Sequence, residues 1–228
     1  MAWIYEQKFN ALNDGGLIGQ DSFLQVSSHG DLTVQTSDKY EGAKAVITSS
    51  GSSGWMGEVY RDISSVVSGV VYFAIKQTGD IMNGGFFLYN AGTLICGVGS
   101  IYNQNFYLRA TADTLLVENF SQSSWYLFAL EFSTDSDQCR VKWKIAGGTW
   151  SAWSDWLAMT ASSGIDRIRF GGYNDTGGTP GYLGVDCISP TNPEPETAIS
   201  KVAGVEYSSL SKISGVAIAS VKKVAGVA

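Results

Sequence analysis

Short apolar or alternating runs, each ended by a turn-forming cluster, follow one another along most of the chain. Lys8-Phe9-Asn10-Ala11-Leu12 leads into Asn13-Asp14-Gly15-Gly16. Asp31-Leu32-Thr33-Val34-Gln35 alternates polar with apolar, as a strand with one buried face does. Lys44-Ala45-Val46-Ile47-Thr48 predicts another strand, closed by the Gly/Ser loop 49–54. Further strands are predicted over 70–76, 85–90, 94–98 and 105–110. Residues 125–132 form the longest apolar run, which places them centrally in a sheet. Cys139–Ile145 alternates cleanly and turns at Gly147-Gly148 into Thr149-Trp150, a hairpin signal. Strands over 166–171 and 181–188 close the series. About a dozen short strands with frequent turns and no helical stretch predict a sandwich or barrel. A two-sheet jelly roll manages its edges over this length, and only Pro180 precedes residue 190.

The pattern changes after residue 188. Residues 189–198 carry Pro190, Pro193 and Pro195, which predicts a semi-rigid linker after a domain spanning 1–188. Residues 199–228 then repeat one motif three times with a period of 11 residues, apolar-x-Lys-apolar-x-Gly-Val. Its apolar positions are Ile199, Val202 and Val205, then Leu210, Ile213 and Val216, then Val221, Val224 and Val227. The spacing of three suits neither a strict strand nor a long helix, and the glycines weigh against helix. Thirty such residues cannot bury their own side chains. The tail is therefore expected to anchor or oligomerise, against copies of itself or a partner.

Composition refines this reading. Hydrophobic residues make up 44% of the chain, enough for a core, while charged residues are only 16%. The net charge of −6 is unevenly spread: Lys201, Lys212, Lys222 and Lys223 against Glu206 give the tail +3. With no basic cluster among aromatics, nucleic acid is not an expected partner. No run reaches the roughly 18 apolar residues of a membrane span. The N-terminal residues lack a secretory signal, so synthesis and folding in the host cytoplasm are expected. Cys96, Cys139 and Cys187 are odd in number and widely spaced, which predicts buried free thiols.

Lys8-Phe9 followed by Leu17-Ile18-Gly19-Gln20-Asp21 resembles the opening of concanavalin A-like (laminin G-like) jelly rolls. The run 125–132 resembles their central strand. Ile165–Phe170 and Tyr182–Ile188 resemble their last two strands, with Asp186 and Ile188 kept from a Tyr-x-Asp-Asp-Ile ending. The resemblance spans residues 5–188 and implies an all-β, concanavalin A-like jelly-roll sandwich carrying a short C-terminal repeat tail. It implies a class of binding roles, often toward glycans, without assigning a site. The tail resembles the Ile-x-Lys-Val-x-Gly-Val C-terminal repeats of phage structural proteins and of some bacterial surface proteins.

Candidate chemistry is sparse. A retaining glycosidase needs two carboxylates about 5–5.5 Å apart. Glu131-Phe132-Ser133-Thr134-Asp135-Ser136-Asp137 does not supply that pattern, and the single His29 has no triad partners. No enzymatic activity is therefore expected. Trp150-Ser151-Ala152-Trp153-Ser154-Asp155-Trp156 has the spacing of thrombospondin type 1 repeats, but the cysteine pairs of that family are missing. The spacing of three is expected to send the rings to different sides. Packing at a sheet edge and stacking on sugar rings both remain open for Trp150, Trp153 and Trp156, and Trp55 with Tyr60 is a second candidate. Arg167 and Arg169 share one strand face and are placed to stack on a tryptophan. Asn174, Asp175 and Asp186 offer hard oxygens that would suit Ca²⁺, with turn chemistry as the plainer account; no other cofactor is expected.

Together these features predict a non-enzymatic bacteriophage virion protein, decorating a capsid or forming part of a tail, with a lectin-like domain facing outward. A bacterial carbohydrate-binding surface or secreted module is the main alternative. A polysaccharide-degrading enzyme is a third.

Overall fold

A computed structural model describes residues 2–26, 32–48, 55–78, 82–100, 104–122, 124–173 and 182–193, with four short strands between 201 and 217. The chain divides into two compact units, Met1–Pro193 and Glu194–Ala228.

Fifteen strands are present among the described residues of the first unit. They begin with β1 (Gly15–Gly16), β2 (Leu24–Gln25), β3 (Leu32–Gln35), β4 (Ala45–Thr48) and β5 (Trp55–Val66). The middle of the chain gives β6 (Ser68–Gln77), β7 (Met82–Asn90), β8 (Thr93–Ser100), β9 (Phe106–Arg109) and β10 (Asp113–Val117). The series ends with β11 (Tyr126–Ser133), β12 (Gln138–Ile145), β13 (Leu157–Ala158), β14 (Ile165–Tyr173) and β15 (Leu183–Ser189).

They form two antiparallel sheets. One has eight strands in the order β1-β3-β4-β15-β6-β11-β12-β13. The other has seven, β10-β9-β8-β7-β14-β5-β2. The last two strands enter the middle of opposite sheets, as a jelly roll requires. The fold is all-β with no helix among the described residues, so no helix there is long and apolar enough to cross a membrane.

Period-two alternation explains the core. Phe73 of β6 and Phe128 of β11 face Phe86 of β7 and Phe170 of β14 across the two sheets, all fully buried. Phe73 stacks on Phe86 at 4.3 Å between ring centres. Offset aromatic pairs of this kind add about 0.5–1.5 kcal/mol beyond area burial. The predicted central run 125–132 supplies β11, flanked by β6 and β12. Cys96, Cys139 and Cys187 are free and buried.

The sequence pattern does not announce β5. The reason is Arg61, which breaks the alternation by pointing to the core side of the strand. There its guanidinium lies 4.8 Å from the Tyr5 ring centre and binds the Asp21 carboxylate and carbonyl. The charge is covered by aromatic surface and met by an opposite charge.

In the second unit, two of the three repeats form hairpins among the described residues. β16 (Lys201–Val202) pairs with β17 (Val205–Glu206), and β18 (Lys212–Ile213) pairs with β19 (Val216–Ala217), both antiparallel. Val202 is the register partner of Val205, and Ile213 of Val216. The spacing of three is thus two strand residues facing each other across a two-residue link, which explains why neither a strand nor a helix period fits it. Ile199, Leu210, Val221, Val224 and Val227 lie outside the described residues.

Candidate functional site

The outer face of the seven-stranded sheet carries the densest set of chemically useful side chains. Register decides which they are. Ile168 and Phe170 of β14 are buried in the core, so Arg167 and Arg169 point outward. By the same rule Val59 sends Glu58 and Tyr60 of β5 outward. Phe86 and Leu88 do so for Phe87 and Tyr89 of β7. Arg167 lies opposite Tyr89 on one side and Asp62 on the other. Arg169 lies opposite Phe87 and Tyr60.

Each arginine reaches a tyrosine on the diagonal. The Arg167 guanidinium is 4.1 Å from the Tyr60 ring centre, and that of Arg169 is 5.5 Å from the Tyr89 ring centre. Each is fixed from behind by a carboxylate: Arg167 Nε donates to Asp62 at 2.6 Å, and Arg169 Nη2 donates to Glu58. The Asp62 bond raises the Arg167 pKa further, and burial raises that of the Tyr89 phenol. Between these groups is a cavity of about 290 Å³, lined by Gln25, Tyr60, Tyr89, Gly92, Arg167 and Arg169.

Beside the cavity the strands carry glycine. Gly85 lies opposite Gly99 on one side and Gly171 on the other, while Gly97 lies opposite Phe87. The Phe87 ring folds over this glycine floor, where a Cβ on Gly85, Gly97 or Gly99 would strike it. Phe87 is only 6% exposed, so its ring and the glycines beneath it are buried beside the two tyrosines and two fixed guanidinium groups.

The carboxylates of this face are already engaged. Glu58 and Asp62 hold arginines, Asp113 binds Arg109 at 2.7 Å, and Asp166 accepts from the Ala91 N–H at 3.1 Å.

The tryptophans lie elsewhere, and their rings share one side, contrary to the expectation from spacing. Residues 150–156 run back along β12 in an extended path. Ser151 N–H donates to Trp143 O, and Ser154 N–H donates to Val141 O, both at 2.8 Å. The two serine hydroxyls accept from Trp143 N–H and Val141 N–H. Every third residue therefore meets β12, and Trp150, Trp153 and Trp156 all stand on the outer face of the eight-stranded sheet. There they interleave with Lys144, Lys142 and Arg140. Lys142 Nζ is 4.8 Å from Trp150 and 4.9 Å from Trp153, and Arg140 is 4.7 Å from Trp153 and 4.4 Å from Trp156. Lys144 lies 5.1 Å from Trp150. The cations expected to stack on tryptophan, Arg167 and Arg169, stack on tyrosine instead. Trp150 and Trp153 each meet two cations. Trp156 meets one and is 41% exposed.

Asp186 is fully buried. Its carboxylate accepts from the N–H groups of Tyr40, Glu41 and Cys187 at 2.9, 3.0 and 2.7 Å. Burial outweighs these bonds and pushes its pKa up to about 7. Its oxygens are thus engaged in holding the 40–41 turn against β15. Asn174, Asp175, His29 and the Trp55 side chain lie outside the described residues; the Trp55 backbone pairs with Tyr173. No three His, Cys, Asp or Glu side chains come together to hold a metal among the described residues.

Tyr60 is a sequence candidate, paired there with Trp55; Tyr89 and the carboxylate partners were not found from sequence. One signal was available: Arg167-Ile168-Arg169-Phe170 alternates so that both arginines must face outward once Ile168 and Phe170 are core. Their partners depend on strand register, which no local pattern encodes.

No protein-family model matches the chain, and no curated protein matches it. Solved structures do. A sialidase superposes with TM-score 0.61 at 10% identity, covering 84% of this chain and 19% of that one. The catalytic domain of a glycoside hydrolase family 131 protein from Coprinopsis cinerea gives 0.56 at 12% identity, covering 85% and 96%. The UEA-II lectin complexed with galactose gives 0.53 at 10% identity, covering 80% and 98%. The chain thus spans about a fifth of the sialidase and nearly the whole of the other two. These likenesses define the fold class: a concanavalin A-like jelly-roll β-sandwich.

Proposed function

We propose that this chain is a glycan-binding structural subunit of a bacteriophage particle, without catalytic activity. The sandwich faces outward, and the repeat tail attaches it to other virion proteins or to copies of itself.

The observation that carries the glycan reading is the pocket of Tyr60, Tyr89, Arg167 and Arg169. A sugar offers apolar ring faces and a rim of hydroxyls. Aromatic rings beside polar groups fixed by their own partners meet both without reorganising. The lectin fold of the neighbours agrees with this role, and the engaged carboxylates favour binding over hydrolysis. A retaining hydrolase needs one carboxylate as acid and a second as nucleophile, and here Glu58 and Asp62 already serve arginines.

The tail supports the attachment half. Hairpins of two-residue strands are too short to be stable alone. Their equal spacing offers the same short pairing unit repeatedly, which suits lateral association. The likeness of the repeats to those of phage structural proteins supports a virion setting.

A glycan array with the intact chain and Tyr89→Ala tests the first half. Binding to at least one glycan, weakened more than about tenfold by the substitution, is expected, with no reducing-sugar release. Failure of the intact chain to bind any glycan sinks this half. Light scattering tests the second half: a chain ending at Pro193 should assemble in fewer copies than the full chain. An unchanged copy number, together with unchanged incorporation into particles, removes the attachment role.

A further inference from the structure

Three depressions meet at one ion pair. The outer-face pocket shares Gly92 and Arg167 with a second cavity of about 420 Å³, which also takes in Asp62, Ala91 and Asp166. The second shares Asp62 and Ile63 with a third, of about 620 Å³, between residues 3–6 and the far end of β5. The Asp62–Arg167 ion pair stands where they join. We propose that the three form one groove, running from the outer face round the sheet edge, which holds several consecutive units of a neutral glycan chain. This rests on the glycan-binding reading above and extends it from a single sugar to a polymer.

The distribution of apolar and polar groups fits a chain. Tyr60 and Tyr89 lie at one end. At the other are Tyr5 and Ile4, which is 69% exposed. Polar side chains occupy the junction between them. A glycan presents the same alternation, ring faces separated by linkages and hydroxyls.

The charges argue for a neutral ligand. Arg61 is paired with Asp21, Arg167 with Asp62 and Arg169 with Glu58. Opposed in pairs, they leave no excess of positive charge to favour a uronic or sialic acid. A guanidinium bound to one carboxylate keeps further N–H groups, and the carboxylate keeps further lone pairs. Both suit hydroxyls.

The edge end is built as a fixed site. Asp21 and Ser22 both adopt left-handed backbone conformations, with φ of 45° and 61°. Non-glycine residues hold such angles only where their surroundings fix them. Here the Asp21 carboxylate receives Gln7 Nε2 and Arg61 Nη1, and the Tyr5 hydroxyl lies 3.5 Å away.

The test is calorimetry of the intact chain with cello-, manno-, xylo- and malto-oligosaccharides of one to six units, and with oligogalacturonates as an acidic series. Affinity for the best neutral series is expected to rise at least about tenfold between two and four units. Ser64→Trp fills the edge cavity and Ile4→Ala strips it; both positions are exposed. Each should abolish the gain with length while leaving disaccharide affinity within about twofold. Tyr89→Ala should weaken every length. Affinity independent of length, or a length gain untouched by both edge variants, overturns the groove and leaves glycan binding standing. Preference for oligogalacturonates overturns the neutral assignment. Binding of no series at any length overturns the groove and the reading beneath it.

Discussion

The Arg140 guanidinium lies 4.4 Å from the ring centre of Trp156. Its other face meets Trp153 at 4.7 Å, and Glu131 accepts its Nε–H at 2.6 Å. Arg140 is therefore clamped on both faces and at its edge. With Lys142 and Lys144 it makes a ladder in which cations and indoles alternate. The ladder joins residues 150–156 to β12 where only two main-chain N–H bonds to carbonyl groups, at Ser151 and Ser154, connect them. A ring with two cations should matter more than a ring with one. Trp153→Ala should cost about 2–3 kcal/mol, from two cation–π contacts and lost packing. Trp156→Ala, half exposed and with one contact, should cost under about 1 kcal/mol. Urea denaturation of the two variants checks the order, and equal costs would refute the ladder. Neither change should alter binding at the Tyr60–Tyr89 pocket on the opposite sheet.

The same ladder shows where sequence reasoning succeeds and fails. The Trp-x-x-Trp-x-x-Trp spacing is plain in the chain, but the side on which the rings fall depends on the backbone path. A strand of period two would scatter them. An extended segment bonded to its neighbour at every third residue, through Ser151 and Ser154, aligns them. Core strands such as β11 were legible because burial on both faces leaves an unbroken apolar run. β5 was not, because Arg61 sits at an inward position and finds its opposite charge in Asp21, forty residues away. The pocket was illegible for a related reason. Arg167 meets Tyr60 only through the β14–β5 register, a tertiary fact.

The glycine floor under Phe87 gives a second prediction. A Cβ on Gly97 would meet both the Phe87 ring and the Phe86 carbonyl oxygen. The ring can shift, but the backbone cannot. Gly97→Ala should therefore destabilise the chain by about 1–3 kcal/mol, the range for overpacking. A displaced Phe87 ring would also disturb the face beside the pocket. Thermal unfolding of the variant checks the first effect and glycan titration the second. An unchanged midpoint would show that β7 and β8 adjust more readily than this packing implies.

The thiols should be inert while the chain is folded. The Cys96 thiol is held in its neutral form by its interaction with Cys139 on the facing sheet and by burial. Burial, then the nearby Asp186 carboxylate, does the same for Cys187. Thiolate is the reactive species, so pKa opposes reaction at Cys96 and Cys187, and burial opposes it at all three. An aromatic disulfide reagent at pH 8 should label none of the three within the lifetime of the folded state, and all three in denaturant. Rapid labelling of the native chain would contradict the buried placement.

Asp186 should leave a signature in the pH dependence of stability. Its folded pKa, about 7, lies above the ordinary carboxylate value of 3.8. Between these values the folded chain holds a proton that the unfolded chain has released, so stability falls as pH rises. Its full contribution is present below about pH 4 and is lost by about pH 7. The upper bound is a few kcal/mol, since each pKa unit corresponds to about 1.4 kcal/mol. Asp38 acts in the opposite sense at lower pH. Against the opposing effect of burial, its bonds from Lys76, Tyr182 and Trp125 hold its pKa below the ordinary value, so its contribution disappears on acidification through that range. The window from pH 4 to 7 therefore belongs to Asp186. Asp186→Asn keeps a carbonyl oxygen to accept from Tyr40 and Glu41, but has no proton to lose. The difference in unfolding free energy between wild type and this variant should shift in favour of the variant as pH rises from 4 to 7. A flat difference across that window would mean that Asp186 is ionised in the folded chain throughout, with the three N–H donors outweighing burial.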